Sequence, residues 1–321
     1  MTALVGFDDI SGSFQFIRQD ADASFRAAAF AEVRRLTQLN DTLTSAQIAS
    51  GFQFEGSRVP FVNPQRGIFK PQQMRNLLSI KTVYPRPGRR VWYDDQREVH
   101  AQIYRGDENI DYAFMGTNPD AADNRWLREA MDLQIPVIYF LGTSPGVYQA
   151  IVPTFVVGFD AGALKAKIAF SMTMRTATDE SAAERRYALR LVKQRLHQAT
   201  FREMVISAYR GRCAISGLPE PLLLDAAHII DDGDERYGQP TINNGLALSK
   251  LHHAAFDRHL IGIDPDYRVH VSERLLALHD GPTLEALRNF KGSTLLPTER
   301  GSDAPDRDRL ARRFEIFKAA A

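Results

Sequence analysis

Residues 213–264 read CAISGLPEPLLLDAAHIIDDGDERYGQPTINNGLALSKLHHAAFDRHLIGID, and the order of apolar and polar runs in this stretch sets the fold around it. Leu222 to Ile230 is an apolar run that reads as a strand with His228 near its end. A polar loop follows, with Asp231, Asp232, Gly233 and Gly238. Asn243-Asn244-Gly245 then opens a second apolar stretch, Leu246-Ala247-Leu248, and a helix bearing His252, His253 and Asp257 comes after it. Strand, loop, second strand or turn, and helix make a ββα unit with histidines facing one another across it.

Those residue types suit phosphodiester hydrolysis. The reaction needs a base to activate water and a cation to stabilise charge on the phosphate and the leaving oxygen. A neutral imidazole suits the base, because its unperturbed pKa is about 6.5. His253 and Asp257 are four apart, so on a helix they share a face and can jointly hold one ion. Mixed nitrogen and oxygen ligands hold Mg²⁺, Mn²⁺ or Zn²⁺, and hard oxygen donors favour the first two. His252 points about 100° away from His253, which assigns it to structure or to a phosphate contact. Taken singly, each residue has a plainer account. His228 inside AAHII is a core histidine, Asn244-Gly245 is a turn, and His252 and His253 are ordinary helix residues. Their order, spacing and apolar flanks together outweigh those accounts.

LLLDAAHII and NNGLALSKLHHAAFD, with the lead-in RLHQATFREMVISAYRGRCAISG, resemble the HNH endonuclease family, in its restriction-endonuclease branch; the likeness covers about residues 195–275. The resemblance implies that His228 is the general base and that Asn244 fixes the loop and helps orient it. It makes His253 a metal ligand and puts Asp257 at the acidic position of the FD pair. His228, Asn244 and His253 are therefore the expected catalytic residues. Relatives often carry a ligand just before the base, where this chain has Ala227. The expected metal residues are His253 and Asp257, with Asp225 two residues before Ala227 as a further candidate. Many relatives also hold a structural zinc on paired CxxC-like motifs; the matching places here read Cys213, Ser216, Ser249 and His252. One cysteine cannot rebuild that site. The expected cofactor is a divalent metal, Mg²⁺ or Mn²⁺, with no structural zinc.

Outward from this centre, residues 181–212 carry eight Lys or Arg and only two acids, Glu184 and Glu203. A solvated helix face and a phosphate-binding face account for this equally well. The expected nucleic-acid contacts are Arg185, Arg186, Arg190, Lys193 and Arg195, together with Lys250 and Arg258. A long helix over 181–209 and a terminal helix near 306–319, beyond a loop-rich tail, complete this half. Residues 22–38 show Phe25, Ala29, Val33 and Leu36 at helical spacing; a short helix over 44–50, with Ser45 as cap, and a hairpin turning at Glu55-Gly56 follow. Two helices and a hairpin resemble a small winged-helix unit. From Ser79 to Phe170, runs such as HAQIYRG, IDYAFMG, PVIYFLG and TFVVGF read as strands, with VWYDDQ among them and one helix at 121–133. This region loosely resembles the curved-sheet PUA and SRA domains that read modified bases. Trp92, Tyr93, Tyr104, Tyr112, Trp126, Tyr139 and Tyr148 are its candidates for stacking a base, though core packing is the better account of any one of them.

The expected fold is α+β. N-terminal helices (1–78) and a curved β-rich recognition domain (79–175) precede a long linking helix and a ββα-metal HNH nuclease domain (181–321). A polar hinge lies at 171–181. The chain of 321 residues is 44% hydrophobic and 25% charged, with one cysteine, so an intramolecular disulfide is excluded. The opening residues lack a basic leader followed by an apolar core, and no apolar run spans a bilayer, so a cytoplasmic protein with no membrane partner is expected. The expected function is a modification-dependent or other host-defence DNA endonuclease acting on double-stranded DNA. A homodimer is expected too, because double-strand cutting by a single centre often takes two copies. The alternatives are a nuclease triggered by a small ligand and an inactive DNA-binding protein.

Overall fold

The computed structural model describes residues 5–7, 14–16, 22–38, 42–84, 95–171, 182–234, 236–279 and 281–320. Its contacts divide the chain into two compact units, Met1–Leu196 and His197–Ala321. Trp92, Tyr93 and nearly all of the expected 171–181 hinge lie outside the described residues.

In the first unit β1 (Val5–Phe7) pairs with β2 (Phe14–Phe16). Helix α1 (Ala23–Thr37) buries Phe25, Ala29 and Val33, as their spacing requires. After β3 (Leu43–Thr44) comes α2 (Ser45–Ser50), capped by Thr44 and not by Ser45. Gln47 N–H donates to the Thr44 hydroxyl, and the Gln47 side chain accepts from Thr44 N–H. Strands β4 (Phe52–Phe54) and β5 (Ser57–Val59) form the expected hairpin, with Glu55 and Gly56 both at positive φ, as a two-residue turn needs.

A seven-stranded sheet follows. It runs β6 (Ile68–Phe69), β7 (Ser79–Thr82), β9 (Val137–Ser144), β10 (Val147–Asp160), β11 (Lys165–Phe170) and β8 (Ile110–Ala113), with β3 also on β10. Only β7 and β9 are parallel. Register shifts along β10, between Ile151 and Thr154 and between Val156 and Gly158, bend it so that the sheet curls into a half-barrel. Successive residues of β9 alternate between two cores. Val137, Tyr139 and Leu141 join one, and Ile138 and Phe140 join the other. The second core receives α1, α2 and the β4–β5 hairpin, so the winged-helix-like group packs onto the back of the sheet.

The first core is covered by α3 (Asp95–Arg105), α4 (Ala122–Asp132) and the first half of α5 (Ala182–Ala208), where one helix was expected. HAQIYRG is not a strand but part of α3. Val99 and Ile103 are four apart and both buried, a helical spacing hidden in a short β-branched and aromatic run. Asp95 and Gln96 of VWYDDQ open the same helix. Tyr112, Tyr139 and Tyr148 are core residues, 3%, 0% and 6% exposed, which removes them as stacking platforms.

The second unit starts with the end of α5. A 3-10 turn, Pro221–Leu223, delays β12 (Leu224–His228) by two residues from the expected start. The strand pairs with β13 (Gly245–Ser249), and α6 (Lys250–Asp257) follows at once. The tail holds more structure than its sequence suggests: β14 (Ile261–Ile263) and β15 (Val269–Val271) pair, then α7 (Glu273–Leu276), α8 (Gly281–Asn289) and α9 (Arg307–Ala320) complete the unit. Phe201, Val205, Leu224, Leu246, Phe256 and Leu310 lie in its core. Among the described residues of the chain, no helix is long and apolar enough to cross a membrane.

Candidate active site

The antiparallel register sets His228 opposite Gly245 and Asp225 opposite Leu248. Helix α6 turns back against β12 because Ser249 ends β13 and caps the helix, accepting from His252 N–H. His253 consequently stands between two carboxylates. Its Nδ1 is 3.7 Å from Asp225 Oδ2 and its Nε2 is 3.3 Å from Asp257 Oδ2. The His253 ring holds the Asp225 carboxyl below the usual carboxylate range against the opposing effect of burial, with Lys250 and Arg202 adding to it. Arg202 is itself anchored, donating to the carbonyls of Pro221 and Leu224.

His228 stacks on Phe201, with ring centroids 4.0 Å apart and planes 14° apart. Its Nε2 is buried, and no described protein group bonds it. Burial pushes the His228 pKa below 6.5, while Asp232 and Asp231 pull the other way. The Phe201 ring can lie there because residue 245 has no side chain: a Cβ on Gly245 would come 2.2 Å from Val205 Cγ2 and 3.0 Å from Phe201 Cζ. Its φ of −126° is ordinary extended backbone, so close approach and not turn geometry demands the glycine. Gly245→Ala should therefore destabilise the protein by about 1–3 kcal/mol and displace Phe201 from beneath His228. Thermal unfolding and cleavage rate should fall together, and an unchanged melting temperature would contradict this packing argument.

Asn244 is fully buried and ties down the chain after His228. Its Oδ1 accepts from Ile230 N–H at 2.9 Å, and its Nδ2 donates to the carbonyls of Ile230 and Gln239 at 2.9 and 3.2 Å. Its own carbonyl accepts from Ile229 N–H. The far end of that loop is held by α9. Arg309 donates to Tyr237 O and Gln239 Oε1, and Arg312 lies over the Tyr237 ring.

Helix α9 also brings a cation to the site that the sequence reading did not single out. Arg313 donates to Phe256 O at 3.1 Å and has Nη2 4.0 Å from Asp257 Oδ1, while its Nε is buried with no partner among the described residues. His259 Nδ1, likewise buried and unbonded, belongs to the same group: Arg313 and Asp257 both act on its charge. Phe201, Arg202 and Arg313 are the site residues missed. Phe201 sits in the quoted lead-in. Arg313, in DRDRLARRFEIFKA, has no local signal that would mark it.

Cys213, Ser216, Ser249 and His252 do converge, as a hydrogen-bonded cluster. Cys213 Sγ accepts from the backbone N–H of Ser216 and Ser249 and lies 3.3 Å from His252 Nδ1, which is 2.9 Å from Ser249 Oγ. Burial raises the thiol pKa, but the bonds from His252, Ser216 and Ser249 bring it down to about 6. His252, edge-on to Phe290, is thus a buried structural residue. One sulfur and one imidazole fall short of four ligands. Elemental analysis of the purified protein should find no stoichiometric zinc that survives dialysis against chelator; one retained zinc per chain would overturn this expectation.

Arg185, Arg186, Arg190, Lys193 and Arg195 are on the part of α5 within the first unit. There Lys193 donates to Tyr104 O and Arg186 lies 3.9 Å from Glu108. Lys250 and Arg258 are exposed on and beside α6, and Arg258 donates to Ala254 O.

Among the described residues, no three His, Cys, Asp or Glu side chains meet at a point that would hold an ion. His253 Nε2 and Asp257 do present a nitrogen and an oxygen on one helix face, while Asp225 is on the Nδ1 side of the ring. A divalent cation could be held by these two side chains with water and phosphate completing the site, and the Arg313 guanidinium beside Asp257 suits an anionic substrate there.

Residues 213–264 match the model of a family described as HNH endonuclease; this part of the chain is an HNH-type endonuclease domain, which hydrolyses DNA. Comparison with curated proteins found no match. Among solved structures, one described as "Modification dependent TagI restriction endonuclease" is similar at 15% identity, over 78% of this chain and 85% of that one, with a TM-score of 0.28.

Proposed function

We propose that this HNH endonuclease domain makes the chain a metal-dependent, cytoplasmic host-defence enzyme that cuts double-stranded DNA, with the first unit selecting a target that carries a modified base. The observation that carries the catalytic part is His228. It is a half-buried imidazole stacked on Phe201, with Nε2 unbonded and the pKa depressed, so it is neutral near pH 7 and able to accept a proton from water.

Asn244 keeps the chain after His228 from moving and so holds the ring in place. His253 Nε2 and Asp257 would hold the divalent cation, Mg²⁺ or Mn²⁺, which supplies Lewis-acid stabilisation of charge on the phosphate and leaving oxygen. The Asp225 carboxylate, 3.7 Å from His253 Nδ1, attracts that side of the ring and so orients the other nitrogen toward that position. Arg313, largely buried and next to Asp257, adds a fixed positive charge for the phosphate. The cations of α5, Lys250 and Arg258 supply sequence-independent phosphate contacts. Because such a centre grips mainly backbone, discrimination has to come from elsewhere in the chain, which is the reason for assigning it to the first unit. Two copies acting together would make the double-strand cut.

The test incubates the whole protein with unmodified plasmid and with plasmids carrying modified bases, in Mg²⁺ or Mn²⁺, and then adds chelator. Cleavage of a modified plasmid that stops on chelation is expected. Cleavage unaffected by chelator would refute metal dependence, and equal cutting of all plasmids would refute modification dependence. DNA binding without any cleavage would favour an inactive binding protein. Cleavage that appears only after a small molecule is added would favour a ligand-triggered nuclease.

A further inference from the structure

Of the aromatic residues available to the first unit, Trp126 on α4 lines a concavity of about 380 Å³, walled by the β4–β5 hairpin and the segment that leads into β6 and past it. That volume lies near the lower end of the roughly 300–1,000 Å³ of small-molecule sites, suited to one compact ligand and not to a long chain.

The charge on its walls is unbalanced. Arg58, Arg66 and Lys70 all line it. Arg58 donates to Ser50 O and the Ser50 hydroxyl, and Lys70 donates to Met74 O, all neutral acceptors. Among the described residues, only Arg66 of these is in ion-pair contact with a carboxylate, that of Asp123, at 3.1 Å. Glu32, which feels Arg58, is bonded to Arg35. Behind the wall Lys81 donates to the carbonyls of Asn63 and Pro64, and burial pushes its pKa down. Among the described residues, the four cations thus make one close ion pair.

The other lining groups narrow the ligand. The Lys70 ammonium lies 5.2 Å from the centre of the Trp126 ring, so cation and aromatic surface are presented together. Asn63 and Gln73 add amides. The Asn63 oxygen is used by Gln65 N–H, while its NH₂ has no acceptor among the described residues. A purely apolar ligand would strand the cations, and a bare inorganic anion would leave the ring and amides unused. A phosphate with a flat, hydrogen-bonding base uses all three: guanidinium for phosphate, amides for base edges, ring and ammonium for its face.

We propose that this basic, Trp126-walled pocket of the first unit binds a nucleoside phosphate, either free or as one unit of DNA. The site is in a different unit from the HNH centre, and the proposal does not depend on that centre being active.

The experiment uses the full-length Trp92→Phe protein, in which Trp126 is the remaining tryptophan, in chelator so that no cleavage occurs. Trp126 fluorescence is titrated with deoxynucleoside monophosphates and with inorganic phosphate. Saturable quenching by nucleotides is expected with Kd below about 1 mM, at least about tenfold tighter than phosphate. In Arg58→Ala/Lys70→Ala, both changes being at residues that are not fully buried, affinity should fall by about tenfold or more, with an unchanged melting temperature as the control for folding. Arg58→Lys/Lys70→Arg should recover most of it. A duplex added to the nucleotide-loaded protein separates the sources. If DNA is the natural ligand it displaces the nucleotide, and the double alanine variant lowers the salt slope of DNA binding by about two. If a free nucleotide is, the duplex leaves it bound. No saturable quenching, phosphate binding as tight as nucleotide, or an unaffected double variant would each overturn the proposal.

Discussion

His228→Ala should lower the rate of DNA cleavage by about 10²–10⁴-fold, the usual worth of a positioned general base, and leave DNA affinity and folding nearly unchanged. The ring has no bonded partner through Nε2 and lies on Phe201, so its removal costs a stacking contact and not a hydrogen-bond network. Single-turnover cleavage of a labelled duplex measures the rate, and binding in chelator measures the affinity. Comparable turnover in both proteins would remove His228 from the chemistry.

The same residue sets a pH dependence. Its pKa is depressed chiefly by burial, below 6.5, and the neutral form is the base. The wild-type rate should therefore fall on acidification only below pH 6.5, as pH drops through the folded-state pKa. For stability, the unfolded chain takes up this proton at about pH 6.5 and the folded chain at lower pH. The contribution of the neutral imidazole is thus complete above the unfolded value and is lost as pH falls through the folded one. His228→Ala should remove that part of the acid sensitivity along with the acid limb of the rate.

His253→Ala and Asp257→Ala are expected to lower cleavage in Mg²⁺ by about 10³-fold or more, since several kcal/mol of charge stabilisation depend on the ion and each 1.4 kcal/mol is tenfold. High Mn²⁺ should restore part of it. Asp225→Asn is the informative contrast. Asp225 meets the Nδ1 side of His253 and Asp257 the Nε2 side. A carboxylate that only orients the ligand should cost about 10–100-fold when removed. Calorimetric titration with Mn²⁺ should show binding lost in His253→Ala and Asp257→Ala and only weakened in Asp225→Asn. Equal loss in all three would place Asp225 in the coordination sphere, and unchanged Mn²⁺ binding in His253→Ala or Asp257→Ala would show that the ion is held elsewhere, for instance at Asp231 and Asp232.

The ββα arrangement is legible in the chain itself because each of its parts is local. An apolar run ending in His228, Asn244 with a glycine after it, and His253 four residues before Asp257 specify strand, turn and helix face through spacing alone. The hairpin at Glu55-Gly56 and the spacing of Phe25, Ala29 and Val33 are legible for the same reason. HAQIYRG is the instructive miss. Its seven residues read as an alternating run, and it is packing of Ile103 with Val99, four residues earlier and just outside the run, into the core beneath the sheet that selects the helix.

By itself, then, the sequence determines which candidate side chains the strand, turn and helix of the ββα unit carry and the order in which the backbone presents them, since these depend on neighbours within a turn or a strand. Tertiary structure alone decides how they are used. Gly245 reads as a turn residue, yet its requirement comes from Val205 and Phe201 on another element pressing to within a side chain's width. Asp257 reads as a ligand and Asp225 as a further candidate, yet the packing of α6 against β12 puts them on different nitrogens of one ring. Arg313 reaches Asp257 from the last helix of the chain, because α9 packs against β14, the strand that α6 also contacts. Contacts between elements far apart in sequence leave no periodicity to read: they follow from which apolar faces bury one another, and only the folded core settles that.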